Sequence, residues 1–467
     1  MQKRTRRFKS YLAVQTFLLE QLPMFSRVGA AALKPSLENI QNLCAAIGNP
    51  QNQYKIIHVA GTNGKGTVSH LIAGMLQSQG YKVGLHTSPH YKDLRERMKV
   101  NGGLPTKGFV VDFMNKNINL IEEIKPSFFE ITVAMSFACF AAQKVDFGVI
   151  EVGLGGRLDS TNIIDPILSV ITNISLDHTD LLGNTIEAIA AEKAGIIKTG
   201  IPVLIGEKQV ETDSVFQKIA LEKQSPLHYA SNLIEVEVQQ TSLYGMQFKT
   251  KGVFENKTFQ IDISGPFQKH NLTTAFAAIS LLRSQEIRFD IGKLKDFLGS
   301  FSKKVKYIGR WQIIGKNPLV LVDSAHNEGG MNYILKELSL LGNGQLHFVI
   351  GFVSDKDRSK ILPFLPQNAQ YYFTKAAIPR ALDPVILKEE ALYYGLKGEV
   401  FLTVKDALKQ AKDNAKRGDV VFVGGRIFFV AEGFGFVDGF LYRLEIGNLS
   451  EDFSAFSSTD RNDGITF

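Results

Sequence analysis

The sequence predicts an α/β protein of two domains: a first domain on a parallel sheet with a P-loop-type turn and a small antiparallel insertion, then a second α/β domain. Three observations predict it. Apolar strand-like runs alternate with helical runs from "YKIIHVA" onward. That rhythm breaks over residues 227–263 into short runs alternating apolar and polar positions. Near "IGRWQ" the strand–helix alternation starts again. The 467 residues suffice for two or three cores, and we draw the boundaries at 1–305, 306–435 and a polar tail 436–467.

"YKIIHVA" is read as a buried strand, and Val68, Leu71, Ile72, Met75 and Leu76 repeat at helical spacing after it. "YKVGLHT" is the next strand. "PSFFEITVAMSFACFAAQ" is apolar on nearly every side, the mark of a buried helix. "VDFGVIEVG" and "ILSVITNISL" read as central parallel strands, "NTIEAIAAEKAGIIK" as a helix and "IPVLIG" as a further strand. After the insertion comes the helix "NLTTAFAAISLLRSQ". The second domain contains "PLVLVDSAHN", "QLHFVIGFV", "AQYYFTKAA", "GEVFLTV" and "DVVFVGG" as strands.

Composition narrows the function classes. The net charge is +7, but five of the positive charges lie in "KRTRRFK" at the start, so the rest is close to neutral. No basic stripe interleaved with aromatics appears, and nucleic-acid binding is not expected. No apolar run is long enough to span a bilayer, and no membrane partner is expected. Cys44 and Cys139 are far apart and suggest neither a disulfide framework nor a metal clamp. A cytoplasmic, monomeric protein is expected.

"HVAGTNGKGTVSHLIAGMLQSQG" carries the strongest chemical signal. Gly61, Gly64 and Gly66 let the backbone turn tightly and aim several N–H groups at one point. The helix N-terminus adds a positive dipole and Lys65 a full charge. The spacing departs from the usual phosphate loop: Gly61 to Gly64 is short, and Gly66 separates Lys65 from Thr67. Thr67 could ligate a Mg²⁺ carried by the nucleotide.

Other residues have two readings each. Glu130 interrupts an oily helix, yet Ser127 and Glu130 also have capping-box spacing. Lys193 falls seven residues after Ile186, on the face of Ile189 and Ala190, and so points inward. A buried lysine loses its charge readily and could be modified by CO₂ into a metal-holding carboxylate; it could also sit in a buried ion pair or bury only its stem with the amine in water. Asp177, His178 and Asp180 follow a strand at its carboxyl end, where open α/β sheets bind ligands; Asp177 or Asp180 could instead only cap a helix, and His178 could be a metal ligand or a polar neighbour. "EVGLGGRLDSTN" leaves another strand end, its glycines permitting close approach of a ligand or another backbone. Asp323, His326 and Asn327, and Asp355, Lys356 and Asp357, lie at strand ends of the second domain, where turn chemistry is the alternative.

Taken in order, "HVAGTNGKGT", "TSPH" with "RERMKVNG", "FFEITVA", "EVGLGGRLDSTN", "LDHTDLLGNT", "IAAEKAGIIK", "GRWQ", "DSAHN" and "DKD" resemble folylpolyglutamate synthase, often bifunctional with dihydrofolate synthase, within the Mur ligase superfamily. The resemblance covers about residues 11 to 432. It implies an ATP-dependent amide ligase whose C-terminal domain is Rossmann-like. The substrates would be ATP, L-glutamate and dihydropteroate or a reduced folate.

By the same resemblance Gly61, Thr62, Asn63, Gly64, Lys65, Gly66 and Thr67 would hold the ATP phosphates. Thr67, Ser88, Glu130, His178 and a carbamylated Lys193 would serve two Mg²⁺ sites. Asn271, Arg310 and Asp323 would contact ATP, and His326 would be catalytic with Lys65 and Lys193. Two departures stand out: Phe267 and Gln268 replace a His-Gln pair, and Arg426 stands where a small Ser is common. Rival readings are a Mur-type ligase acting on cell-wall precursors and a nucleotide-binding switch without ligase activity.

Overall fold

The computed structural model describes residues 6–22, 36–252, 254, 256–265, 267–325, 327–342, 344–354, 357–425 and 429–432. His326, Asp355, Lys356, Arg426 and the tail 436–467 lie outside the described residues. The chain divides into two compact units. One runs to Gln239 and includes Gln247–Asp262 and Phe267–Tyr307; the other comprises Gln240–Met246, Ile263–Pro266 and the chain from Ile308 on.

The first unit is organised by a seven-stranded sheet. Its strands are β1 (Lys55–Ala60), β2 (Val83–His86), β3 (Met98–Val100), β4 (Phe147–Glu151), β5 (Leu168–Ile171), β6 (Val203–Ile205) and β7 (Leu227–Tyr229). The spatial order is β3-β2-β4-β1-β5-β6-β7, with β3 antiparallel and all other neighbours parallel. β1 therefore sits between β4 and β5. Its Ile56, Ile57, Val59 and Ala60 are all within 1% of complete burial, as a strand covered on both faces requires.

One face packs on the helices Tyr11–Gln21, Glu38–Ala46, Lys107–Ile124 and Phe128–Ala142 through Val14, Leu43, Phe113, Ile131 and Phe137. The helix at 128–142 buries eleven of its fifteen residues, which is why its sequence shows no polar face. The same face continues past Ala60 and Ile171, where Ile189, Ile197 and Phe216 pack with the helices Ile186–Ala194 and Val210–Glu222. The opposite face is covered by the helices Lys65–Ser78 and Gln268–Ser284.

The expected insertion begins later than its pattern suggested. Leu227–Tyr229 is not part of it but joins β6 in parallel as the sheet's last strand. Three residues are too few to show a period, so alternation could not tell the two pairings apart. The insertion proper is a three-stranded sheet of β8 (Ile234–Ser242), β9 (Gly245–Gly252) and β10 (Lys257–Ile261), in the order β10-β9-β8. Only two residues, Leu243 and Tyr244, join β8 to β9, a connection open to antiparallel pairs alone. Phe248 and Phe259 stack at 5.5 Å and pack their edges on Phe276 of the helix Gln268–Ser284.

The second unit carries a six-stranded sheet: β11 (Gln312–Lys316), β12 (Leu319–Asp323), β13 (Leu346–Ile350), β14 (Gln370–Phe373), β15 (Gly398–Val400) and β16 (Val420–Gly424). The order is β11-β12-β16-β13-β14-β15, parallel throughout except for the edge strand β11. β11 was not among the strands expected from sequence; at an antiparallel edge it is only partly buried and its apolar signal is weak. Among the described residues no helix is long and apolar enough to cross a membrane. Cys44 and Cys139 are both free and buried.

Candidate active site

The glycine turn leaves the carboxyl end of β1 and opens the fourteen-residue helix Lys65–Ser78. Gly61 and Gly64 hold φ of +140° and +82°, conformations that favour glycine. Space imposes the same choice: a Cβ at Gly61 would lie 1.9 Å from Thr172 Oγ1, and one at Gly64 2.4 Å from Asn271 Oδ1. The turn is laced to the chain beyond β5. Thr62 N donates to Asn173 O at 2.8 Å, Asn63 N to Asn173 Oδ1 at 2.9 Å, and Thr172 Oγ1 to Asn63 O at 2.6 Å. Gly64 caps the helix without any side-chain hydrogen bond to its N–H groups. Those first-turn donors are the ones a phosphate satisfies. Lys65 Nζ bridges the turn, donating to Gly61 O at 3.0 Å and Thr62 O at 3.2 Å.

A carboxylate that the sequence reading passed over stands beside this cradle. Glu151 ends β4 level with Val59 of β1, so the parallel register brings it to the glycine turn. It is 5% exposed, accepts a hydrogen bond from Ser88 N at 3.2 Å, and lies 3.5 Å from where a Cβ on Gly66 would be. The buried Arg97 and Lys99 feel its negative charge, and a carboxylate buried beside the glycine turn would also suit a bound cation. The signal lay in "EVGLGG", read for its glycines and not for its leading acid. Glu130, expected there as a metal ligand, instead closes a capping box: its Oε2 accepts from Ser127 N at 2.6 Å, and Glu130 N donates to Ser127 Oγ at 3.2 Å. The capping alternative is the arrangement the fold adopts, and Glu151 takes the place beside the turn.

Lys193 does point inward, buried with Ile189, Ala190 and Ala194. Burial is the main force lowering its pKa to about 7; the charge of Lys65 lowers it further, while Asp177 and Asp159 act in the opposite direction. The glycine loop fixes this lysine. A Cβ on Gly156 would meet Lys193 O at 2.8 Å, and one on Gly195 would meet Arg157 Cα at 2.4 Å, so the two backbones touch. Of the two approaches those glycines allowed, this is the one to another backbone. Arg157 and Glu192 complete the contact with an ion pair at 2.8 Å. Asp159, held by Leu154 N and by Thr161, is buried and its carboxyl is pushed up by desolvation.

His178 caps the short helix Thr179–Leu182 in a left-handed conformation, and its Nε2 lies 3.9 Å from Asp177 Oδ1. Asn271 sits against Gly64 and donates to Gln268 Oε1 at 3.1 Å. Thr67 Oγ1 lies 2.8 Å from the hydroxyl of Tyr307. In the second unit Asp323 is buried and accepts from Trp311 N at 2.6 Å and Ala325 N at 2.7 Å; burial raises its carboxyl pKa, opposed by Arg310. Asp357 caps a short 3₁₀ turn, accepting from Ser359 N.

Among the described residues no three His, Cys, Asp or Glu side chains form a metal cage. Glu151, the Ser88 and Thr67 hydroxyls and a phosphate cradle suit a cation of the Mg²⁺ type, which keeps water and takes phosphate oxygens with one or two carboxylates.

Residues 59–279 match the Mur ligase middle domain, and residues 309–427 the Mur ligase, glutamate ligase domain. The fold is thus that of an ATP-dependent ligase. The chain is 32% identical over 415 residues to dihydrofolate synthase/folylpolyglutamate synthase of Bacillus subtilis, covering 86% of this chain and 94% of that one. It belongs to the folylpolyglutamate synthase/dihydrofolate synthase family. The structure of E. coli FolC in complex with DHPP and ADP superposes with a TM-score of 0.77 at 28% identity, covering 93% and 99% of the two chains. The Yersinia pestis bifunctional enzyme, complexed with AMPPNP and Mn ion, gives 0.78 at 26% identity over 93% and 100%.

Proposed function

We propose that this chain joins the amino group of L-glutamate to a carboxylate of dihydropteroate, of a reduced folate, or of both. The γ-phosphoryl group of ATP passes to the acceptor carboxylate oxygen and ADP departs. The glutamate nitrogen then attacks the acyl carbon, the C–O bond to phosphate breaks, and the nitrogen loses a proton. The observation that carries this reading is the glycine turn with Lys65 inside it and the buried Glu151 carboxylate beside it. It is supported by the relatives' names and by the ligands of the related structures.

In this reading Gly61–Thr67 bind the phosphates through backbone N–H groups, and Lys65 leaves the loop carbonyls to neutralise the transferring group. Glu151, Thr67 and Ser88 hold one Mg²⁺; His178 and a carbamylated Lys193 help hold a second. When bound, the metal ions supply positive charge against the phosphoryl oxygens. Arg310 and Asp323 contact ATP and His326 assists at the amino-acid step. The enzyme works as a monomer in the cytoplasm, without nucleic acid.

The test is glutamate-dependent phosphate release with ATP and Mg²⁺, run with dihydropteroate and with a reduced folate separately. Release with either acceptor is expected. Release only with cell-wall precursors, or none that depends on glutamate, overturns the proposal. A second experiment separates the two acids. Glu151→Gln is expected to lower turnover about 10²–10³-fold. Glu130→Gln should keep turnover within about threefold, because glutamine also serves a capping box. The reverse ranking would restore Glu130 as the ligand.

A further inference from the structure

Three buried side chains to which the sequence reading gave no role, Tyr307, His70 and Lys99, converge on the first turn of the helix Lys65–Ser78. The phenol of Tyr307, 7% exposed, lies 2.8 Å from Thr67 Oγ1 and accepts from Gln268 Nε2 at 3.4 Å. Gln268 is bonded in turn to Asn271, the residue against Gly64. The phenol is therefore tied to both ends of the turn without using any of its N–H groups. Its ring stands edge-on to His70, with centroids 5.4 Å apart.

His70 works as a two-ended connector. Its Nδ1 is 2.6 Å from Gly66 O, a pure acceptor, so Nδ1 carries the proton. Its Nε2 is then an acceptor and takes a hydrogen bond from Lys99 Nζ at 2.7 Å. Lys99 also donates to Val305 O at 3.4 Å and Lys306 O at 3.2 Å, the two residues before Tyr307. The segment that carries the phenol is thus fastened to the same helix turn that carries Thr67.

A threonine hydroxyl has one proton and two lone pairs. To ligate a cation it must aim a lone pair at the metal and its proton elsewhere. Within a helix the usual alternative is a carbonyl of the preceding turn, which would rotate the oxygen away. Either hydroxyl of the Thr67–Tyr307 pair can be the donor, and in both cases the phenol fixes where the threonine oxygen stands and leaves it at least one lone pair for a cation. We propose that Tyr307 is a positioning residue that sets the Thr67 hydroxyl for the nucleotide-borne cation, and that His70 and Lys99 hold residues 305–307 so that the phenol stays there. This rests on the proposed role of Thr67 as a Mg²⁺ ligand.

The experiment is calorimetric titration of the full chain with ADP, with and without Mg²⁺. Tyr307→Phe is expected to bind metal-free ADP like the wild type but to lose about tenfold of the affinity that Mg²⁺ adds, the worth of one well-placed hydrogen bond. An unchanged Mg²⁺ increment overturns the proposal. So does an equal loss with and without Mg²⁺, which marks a merely structural role. If Tyr307→Phe does not fold, Lys99→Met reads the same quantity: a smaller loss, about threefold, supports the proposal and none overturns it. A wild-type chain that binds ADP with no Mg²⁺ increment overturns the cation reading of Thr67 itself, and this proposal with it.

Discussion

Lys65→Ala is expected to abolish measurable turnover, a fall of at least about 10³-fold in kcat/KM for glutamate-dependent phosphate release. The reaction brings a carboxylate towards the terminal phosphate of a polyanion, so positive charge at the turn sets the barrier. Lys65 is the lysine of the glycine turn, and its ammonium already lies within 3.0 Å and 3.2 Å of two loop carbonyls. Alanine removes the charge while leaving Gly61 and Gly64 to shape the loop. Metal-free ADP should still bind, because the backbone donors remain. Measuring ADP binding beside turnover distinguishes loss of chemistry from loss of the site. Turnover within tenfold of wild type would refute the role assigned to this lysine.

The second large effect is expected at Lys193. Lys193→Ala should lower turnover about 10²–10³-fold, with partial recovery when formate or acetate is added. The argument is electrostatic. A carbamate forms only on a neutral amine, and burial near Lys65 has brought this amine's pKa down to about 7. The amine is charged below that pH and neutral above it, so in CO₂-limited buffer the turnover that depends on added bicarbonate should grow as pH rises through about 7. An exposed lysine with its ordinary pKa stays almost wholly charged below pH 9, so its rise would not level off above pH 7. Full activity of the alanine variant without any additive, or indifference of the wild type to bicarbonate, counts decisively against carbamylation.

Glu130 and Glu151 show how far sequence reasoning reaches. Both are acids beside apolar runs, and spacing alone allowed Glu130 to be a cap or a ligand. The choice is made by the register of β4 against β1, which sets Glu151 level with Val59 and at the mouth of the turn. No local pattern encodes that register. The inward direction of Lys193 was legible, because helical period alone specifies a face. What that face meets was not: Lys65, Asp177 and Asp159 are 128, 16 and 34 positions away in the sequence. Nothing local marked Tyr307, His70 and Lys99 as partners, although Lys99 lies within "RERMKVNG". A tyrosine, a histidine and a lysine at unrelated positions become a network only when residues 305–307 are folded back on a helix.

The sequence by itself determined the alternation of strands and helices, the glycine turn with its lysine, and the order of motifs that places the chain in its family. These are local properties, written in periods of two and 3.6 residues and in the few residue types that tolerate a left-handed turn. The tertiary structure decided which acid stands beside the glycine turn, which backbone the glycines of "EVGLGG" accommodate, and which phenol lies against Thr67. Those outcomes depend on strand register and on contacts between residues far apart in sequence, whose geometry is set only when the sheet and its helices share one core.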